Sequence, residues 1–306
     1  MWTAVALLVA AAVWPRTSTF SCVAYDPATG SLGVVVQSKF PAVGAAVAWA
    51  RAGVGAVATQ AAANLAYGED GLRMLELGFS AEEALRKLTE RDAEREERQM
   101  GIVDTQGRSA TFTGANTFQW SGGVTGKNYA CQGNILAGPD VVRDMARVLD
   151  AGIGAFPDRL IAALEAGQKA GGDRRGRESA AMLVVRKGAG YGGVGDKWID
   201  LRVDDHPEPI QELKRLLGVH NLYFGLTVKT HKLDAALTRE IQGILQATGF
   251  YEGPVNGVYD PRTRKALEDF QGWENLEMRF RKDDQIDDVV LRYMRDNYGK
   301  NPRKLK

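Results

Sequence analysis

Beyond residue 18 the chain is built of short β-branched runs and longer amphipathic stretches, and their order outlines a fold. Residues 19–25 are β-rich, Asp26-Pro27-Ala28-Thr29-Gly30 has turn chemistry, and residues 32–37 are β-branched again, which predicts a hairpin. Residues 45–59 are small and apolar with breaks at Gly53 and Gly55, and predict one or two buried strands. Helical periodicity runs through residues 64–98, with Ser80 and Glu83 spaced as a capping box ahead of Leu85 and Leu88. The charged stretch 90–98 reads as a solvated helix end. Strands return at 100–103, 109–113 and 129–135. Helices follow at 139–149 and 157–169, each with Pro in its first turn. Two more strands (181–186, 198–203) and a helix opened by Pro207 (207–217) close the series. Strands, helix, strands, two helices, strands is an α+β order that suits packed sheets sheathed by helices. It does not alternate β and α, which argues against a doubly wound sheet. After a connector, a second unit shows a helix at 237–248, a Gly-rich loop at 249–259, and helices at 262–270 and 286–298. The resulting division is a leader at 1–18, a main domain at 19–220, a linker at 221–232 and a small helical domain at 233–306.

The leader rests on residues 4–13, an unbroken apolar run too short to span a bilayer. It fits the apolar core of a secretory signal with a cleavage region near Ser18, and predicts export to the periplasm or beyond. No Lys or Arg precedes the run, and Arg16 sits close to the expected cut. The competing reading is translation starting near Ser18 and a cytoplasmic protein. A net charge of +1 gives no electrostatic case for nucleic acid. Two cysteines, Cys22 and Cys131, cannot make a four-ligand zinc site. Both lie in apolar strand-like runs and read as buried thiols, with one disulfide left open if the chain is exported. Asp204-Asp205-His206-Pro207 is weak as a metal cluster, because adjacent side chains diverge, and Asp205 is equally explained near a helix start. No phosphate-loop or dinucleotide fingerprint is present, so no cofactor and no metal are expected.

Five blocks carry a more specific signal: TFSCVAYDPATGSLGVVVQSKFPAVGA, WARAGVGAVATQAAAN with YG three residues on, YACQGNILAG, AGGDRRGRESAAMLVV and DLRVDDHPEPI. In this order, over about two-thirds of the chain, they resemble the DUF1028 family, assigned to the N-terminal-nucleophile hydrolase superfamily. The resemblance implies a four-layer αββα sandwich. Residues 241–271, with a G-x-V-x-G loop between two helices, look like a peptidoglycan-binding domain; a helix–loop–helix that only packs is the alternative.

In such a hydrolase the first residue's side chain attacks an amide carbonyl, and its own α-amine takes the proton. An α-amine titrates at about 7.7–8.0, so it is partly neutral at working pH. Thr19 opens the first strand directly after the leader, so removing residues 1–18 would create nucleophile and base together. Unprocessed, Thr19 is an ordinary strand threonine. Strand alternation puts Cys22 on the opposite face from Thr19 and Ser21. The other catalytic candidates are Lys39, Gln60, Asn134, Asp173 and Ser179; Ser38, Gln132 and Arg175 are candidates for holding substrate. Lys39 would favour a deprotonated nucleophile and lower the α-amine's proton affinity, although the superfamily often has an acid there. Gln60 and the N–H groups of Gln60 and Ala61, at a helix start, would form an oxyanion hole. Gln132 and Asn134 would hold an amide or carboxylate. Asp173 with Ser179 would order the α-amine, and Arg175 would take an anionic group. Each of these residues also has a plain structural explanation, from turn to surface ion pair.

Two functions follow. One is an amidohydrolase acting through an acyl-enzyme on Thr19, on a small amide or peptide, held near peptidoglycan by the C-terminal unit. The other is a non-catalytic binding or scaffold protein of the same fold with a peptidoglycan-targeting module. A homo-oligomer is compatible with either.

Overall fold

Alternation along the strands decides how the layers stack. The computed structural model describes residues 19–299 and 304–305; the expected leader lies outside the described residues. The chain divides into two compact units, at residues up to 216 and from 217 onward.

The first unit contains β1 (Thr19–Asp26), β2 (Ser31–Ser38), a one-turn α1 (Gly44–Val47), β3 (Ala48–Arg51), β4 (Gly55–Ala61), α2 (Ala66–Glu76), α3 (Ala81–Glu90), β5 (Arg98–Asp104) and β6 (Ser109–Thr113). It continues with β7 (Gly122–Gly126), β8 (Tyr129–Asn134), α4 (Asp140–Ala151), α5 (Phe156–Lys169), β9 (Ser179–Val185) and β10 (Lys197–Val203). α6 (Pro209–Phe224) crosses the boundary between the units. Six strands form one sheet in the order β10-β9-β2-β1-β8-β7, and four form another in the order β3-β4-β5-β6. Val23, Val34 and Val36 point between the sheets, where they pack with Ala56, Ala58 and Val103. The other face of the six-stranded sheet meets α4 and α5: a Cβ on Gly33 would come within 2.6 Å of Leu160, so glycine there lets α5 approach. On the far side of the four-stranded sheet, Val57, Met100 and Ile102 pack with Tyr67, Leu72, Leu75, Ala84 and Leu88 of α2 and α3. The result is the αββα sandwich expected.

Several expectations change. Residues 90–98 are not a solvated helix end. α3 stops at Glu90, and Arg98 begins β5 with its side chain only 8% exposed, because Asp92, Glu94 and the Ala62 carbonyl accept from its guanidinium. β7 was not expected, and α6 starts two residues later and ends seven residues later than predicted. Cys22 and Cys131 are not separate thiols. They are register partners on β1 and β8 and form a disulfide.

The second unit contains β11 (Thr230–Lys232), α7 (Ala235–Thr248), α8 (Pro261–Trp273), β12 (Gln285–Asp287) and α9 (Asp288–Met294). Asp234 and Asp260 cap α7 and α8 by accepting from Leu237 N (2.9 Å) and Thr263 N (2.7 Å). Gly249 closes α7 at φ +90°, a conformation that favours glycine. Gln242 organises the loop that follows: its Nε2 donates to Val258 O (3.1 Å) and Thr263 Oγ1 (3.0 Å), and its Oε1 accepts from Gly257 N (2.9 Å). Leu245, Phe270, Val290 and Met294 are among the buried side chains of its core.

Candidate active site

β1 lies between β2 and β8 and is antiparallel to both. In that register Thr19 faces Ser38 on one side and Asn134 on the other, and Ser38 faces Ser179 of β9. Four residues scattered along the chain therefore form one row across the end of the sheet. Thr19 is fully buried, and its hydroxyl donates to Ser38 Oγ at 3.2 Å.

Behind this row lies a layer of buried amides between the sheets. Gln60 Nε2 donates to Thr19 O (3.2 Å) and to Gln99 Oε1 (2.8 Å). Asn134 Nδ2 donates to the same Gln99 oxygen at 2.9 Å. Gln99 Nε2 in turn donates to Gly133 O (2.8 Å) and Thr113 Oγ1 (2.9 Å). Ser21 Oγ donates to Gln60 Oε1 (2.6 Å) and accepts from Gln132 Nε2 (2.7 Å). Gln132 fits because Gly101 lacks a Cβ, which would lie 2.0 Å from Gln132 Oε1. That oxygen has no partner among the described residues. A polar group buried without a partner costs about 1–3 kcal/mol, so a layer this dense is held by its mutual bonds. Gln99 was missed from sequence. The one available signal was a carboxamide adjoining the buried apolar run 100–103.

Asp173 closes the end of β1. Its carboxylate is fully buried and accepts from Lys39 N (3.0 Å) and Arg175 N (2.8 Å), with Arg175 Nη2 at 3.3 Å. Asp173 also forms a β-bridge with Leu136. Lys39 and Leu136 continue the two strands that flank β1, so Asp173 meets the extensions of both beyond the start of that strand. The Lys39 ammonium turns away to Glu178 (3.1 Å), leaving its backbone N–H rather than its charge at Asp173. Ser179 Oγ donates to Phe40 O and accepts from Val43 N (3.1 Å), which fixes the turn after β2.

The expected helix start at Gln60 and Ala61 is corrected. Both end β4, and α2 begins at Ala66, where Asn64 Oδ1 accepts from Ala66 N. What that corner has instead is backbone strain. Ala61 (φ +65°), Ala42 (φ +50°) and Ile135 (φ +53°) adopt a region that side-chain-bearing residues avoid, at about 1–3 kcal/mol each. Ala61 and Ile135 directly follow Gln60 and Asn134, and Ala42 lies in the turn four residues after Ser38. The other two such residues among those described, Asn128 and Asn275, are asparagines, which tolerate it. The sequence Asp204-Asp205-His206 forms an ordinary helix approach, with His206 Nδ1 accepting from Glu208 N at 3.0 Å.

Comparison with known proteins gives three findings. Residues 19–213 match the model of a "Family of unknown function (DUF1028)". Residues 229–294 match a "Putative peptidoglycan binding domain". A crystal structure of a DUF1028 protein from Silicibacter pomeroyi is 33% identical, covers 67% of this chain and 89% of its own, and superposes with a TM-score of 0.61. No curated protein matches the chain.

Proposed function

The chain belongs to the DUF1028 family and carries a peptidoglycan-binding domain, and from that footing we propose that it is an amide hydrolase whose nucleophile is Thr19, freed by removal of residues 1–18. The observation that carries this reading is the row Asn134–Thr19–Ser38 at the mouth of β1, with Asp173 across its end and strained backbone around it. Strained residues that directly follow two members of this site fit the tendency of backbone strain to cluster at functional sites.

With the chain opened before Thr19, the new α-amine forms at the end of β1 that Asp173 closes, and the buried carboxylate orders it. The amine accepts the hydroxyl proton as Thr19 Oγ attacks the amide carbonyl. Collapse of the tetrahedral intermediate breaks the C–N bond, and the α-ammonium returns the proton to the leaving amine. Water, deprotonated by the same amine, then hydrolyses the ester and restores Thr19. Ser38 accepts the Thr19 hydroxyl's hydrogen bond and sets its rotamer. Asn134 brings a side-chain amide beside the nucleophile to meet the oxyanion. Gln60 is a positioning residue, since it holds the carbonyl of Thr19 itself. Ser179 positions through the turn at Phe40 and Val43. Arg175, half-exposed beside Asp173, offers a cation to substrate. The C-terminal unit keeps the hydrolase near peptidoglycan, so the substrate is a small amide or wall-derived peptide. The Cys22–Cys131 disulfide supports an exported protein, because disulfides persist in oxidising compartments.

One observation favours a second reading, a binding protein without chemistry: in the continuous chain Thr19 is fully enclosed and the amides behind it bond one another. The N-terminus of the natively produced protein decides between them, read by intact mass and sequential degradation. A start at Thr19, with a β-lactone probe adding mass to the Thr19 peptide, supports the hydrolase. A start elsewhere, or equal labelling of Thr19→Ala, overturns it.

A further inference from the structure

On the outer side of the first unit, α2 and α3 leave a cleft of about 570 Å³ between them, far from the row at Thr19 in sequence and on the opposite face of the four-stranded sheet. The volume lies within the roughly 300–1,000 Å³ range of small-molecule sites. Its walls are chemically divided. Met74, Leu77, Phe79 and Leu88 are apolar, and Leu77, the residue that ends α2, is 72% exposed. Arg73, Lys87 and Arg91 bring three cations to the same walls, and among the described residues none of the three has an ion-pair partner. Lys87 lies over the Phe79 ring, 5.2 Å from its centre.

Two acids line the cleft, Asp70 and Asp92, but Asp92 is committed. It accepts from Arg98 Nε (3.0 Å), Tyr67 Oη (2.9 Å), Glu94 N (2.9 Å) and Asn64 Nδ2 (3.4 Å). Burial alone would raise the Asp92 carboxyl, but these hydrogen bonds outweigh it and hold the group below its ordinary range, so it stays ionised and neutralises Arg98. Setting that pair aside, the cleft keeps three cations against Asp70. The Tyr67–Asp92 bond also joins the start of α2 to the end of α3, so the helices run antiparallel. Arg91 therefore stands at the Asn64 end of the cleft, and Leu77 and Phe79 at the other.

We propose that this cleft binds a small amphipathic carboxylate, its apolar body on Met74, Leu77 and Phe79 and its anion taken by Lys87 and Arg91. The site is separate from Thr19 and does not depend on catalysis there. Decanoate, below its micellar concentration, is the probe, titrated calorimetrically into the full chain, with decanol as the uncharged control. Decanoate should bind one site, decanol about tenfold more weakly, and Lys87→Ser/Arg91→Ser should weaken decanoate about tenfold, or about 1.4 kcal/mol. Leu77→Asp, at an exposed position that folding does not need, should weaken decanoate comparably. No binding of decanoate at millimolar concentration, equal binding of decanol, or unchanged affinity in Leu77→Asp would each overturn the proposal.

Discussion

Replacing Gln99 with leucine tests whether the amide layer holds the row at Thr19. The substitution nearly conserves volume but removes one oxygen that accepts from both Gln60 Nε2 (2.8 Å) and Asn134 Nδ2 (2.9 Å). It also removes the donor to Gly133 O and Thr113 Oγ1. Two buried amide donors that lose an acceptor cost about 1–3 kcal/mol each, or about 2–6 kcal/mol together. Gln60 keeps the Thr19 carbonyl, which places the expected loss in the lower half, about 3 kcal/mol. For a unit of this size that lowers its melting temperature by about 6–12 °C. Hydrogen exchange of peptides from β5 and β8 across a urea series isolates the first unit from the second. Gln106→Leu, at an exposed turn beside β5, is the control and should stay within about 0.5 kcal/mol. If Gln99→Leu costs no more than that control, the amides are not a mutually dependent layer, and the argument that they position Thr19 fails with it.

Replacing both Cys22 and Cys131 with alanine opens a closure across 109 residues. The chain-entropy relation gives about 4.8 kcal/mol as the largest expected loss, read as a lower urea midpoint that matches reduced wild type. A midpoint unchanged by reduction would show that the pair is not bridged. In the second unit Arg279 and Asp287 form an ion pair with side chains 2% and 1% exposed, so Arg279→Met should destabilise by about 3–5 kcal/mol. Adding Asp287→Asn, which removes the charge but keeps an Oδ1 to accept from Val289 N, should recover part of it; no recovery would mean that Arg279 acts mainly through the carbonyls of Asn221 and Leu222. Burial lowers the pKa of His220, whose Nε2 has no partner among the described residues. A lowered histidine pKa means that the unfolded chain binds the proton first. The contribution is therefore complete above the ordinary histidine pKa and is lost as pH falls through the folded value. Stability of the second unit should drop on acidification from pH 7 to 5, and His220→Phe should flatten that slope; an equal slope in the variant would exclude His220 as its source.

What was legible in the sequence depended on whether the deciding interaction was local. The Ser80–Glu83 capping box joins residues three positions apart and is present in full, and the β1–β2 hairpin is announced by its own turn. Arg98 was misread because a charged run looks solvated until its partners are known, and they come from Asp92, Glu94 and the carbonyl of Ala62. β7 is Gly-Gly-Val-Thr-Gly, with neither an apolar run nor clear alternation to betray it. The disulfide needs the register of β1 against β8, which no property of Cys22 or Cys131 alone contains. The site shows the same limit, with one opening. Thr19, Ser38, Asn134 and Ser179 each stand at a terminus of a strand that is otherwise rich in apolar residues. Those strands are antiparallel, so a first residue on β1 and β9 and a last residue on β2 and β8 must meet at one end of the sheet. Polarity at the starts of two strands and the ends of the other two is thus what a shared site requires. Only the strand order β9-β2-β1-β8 was needed to turn four separate positions into neighbours.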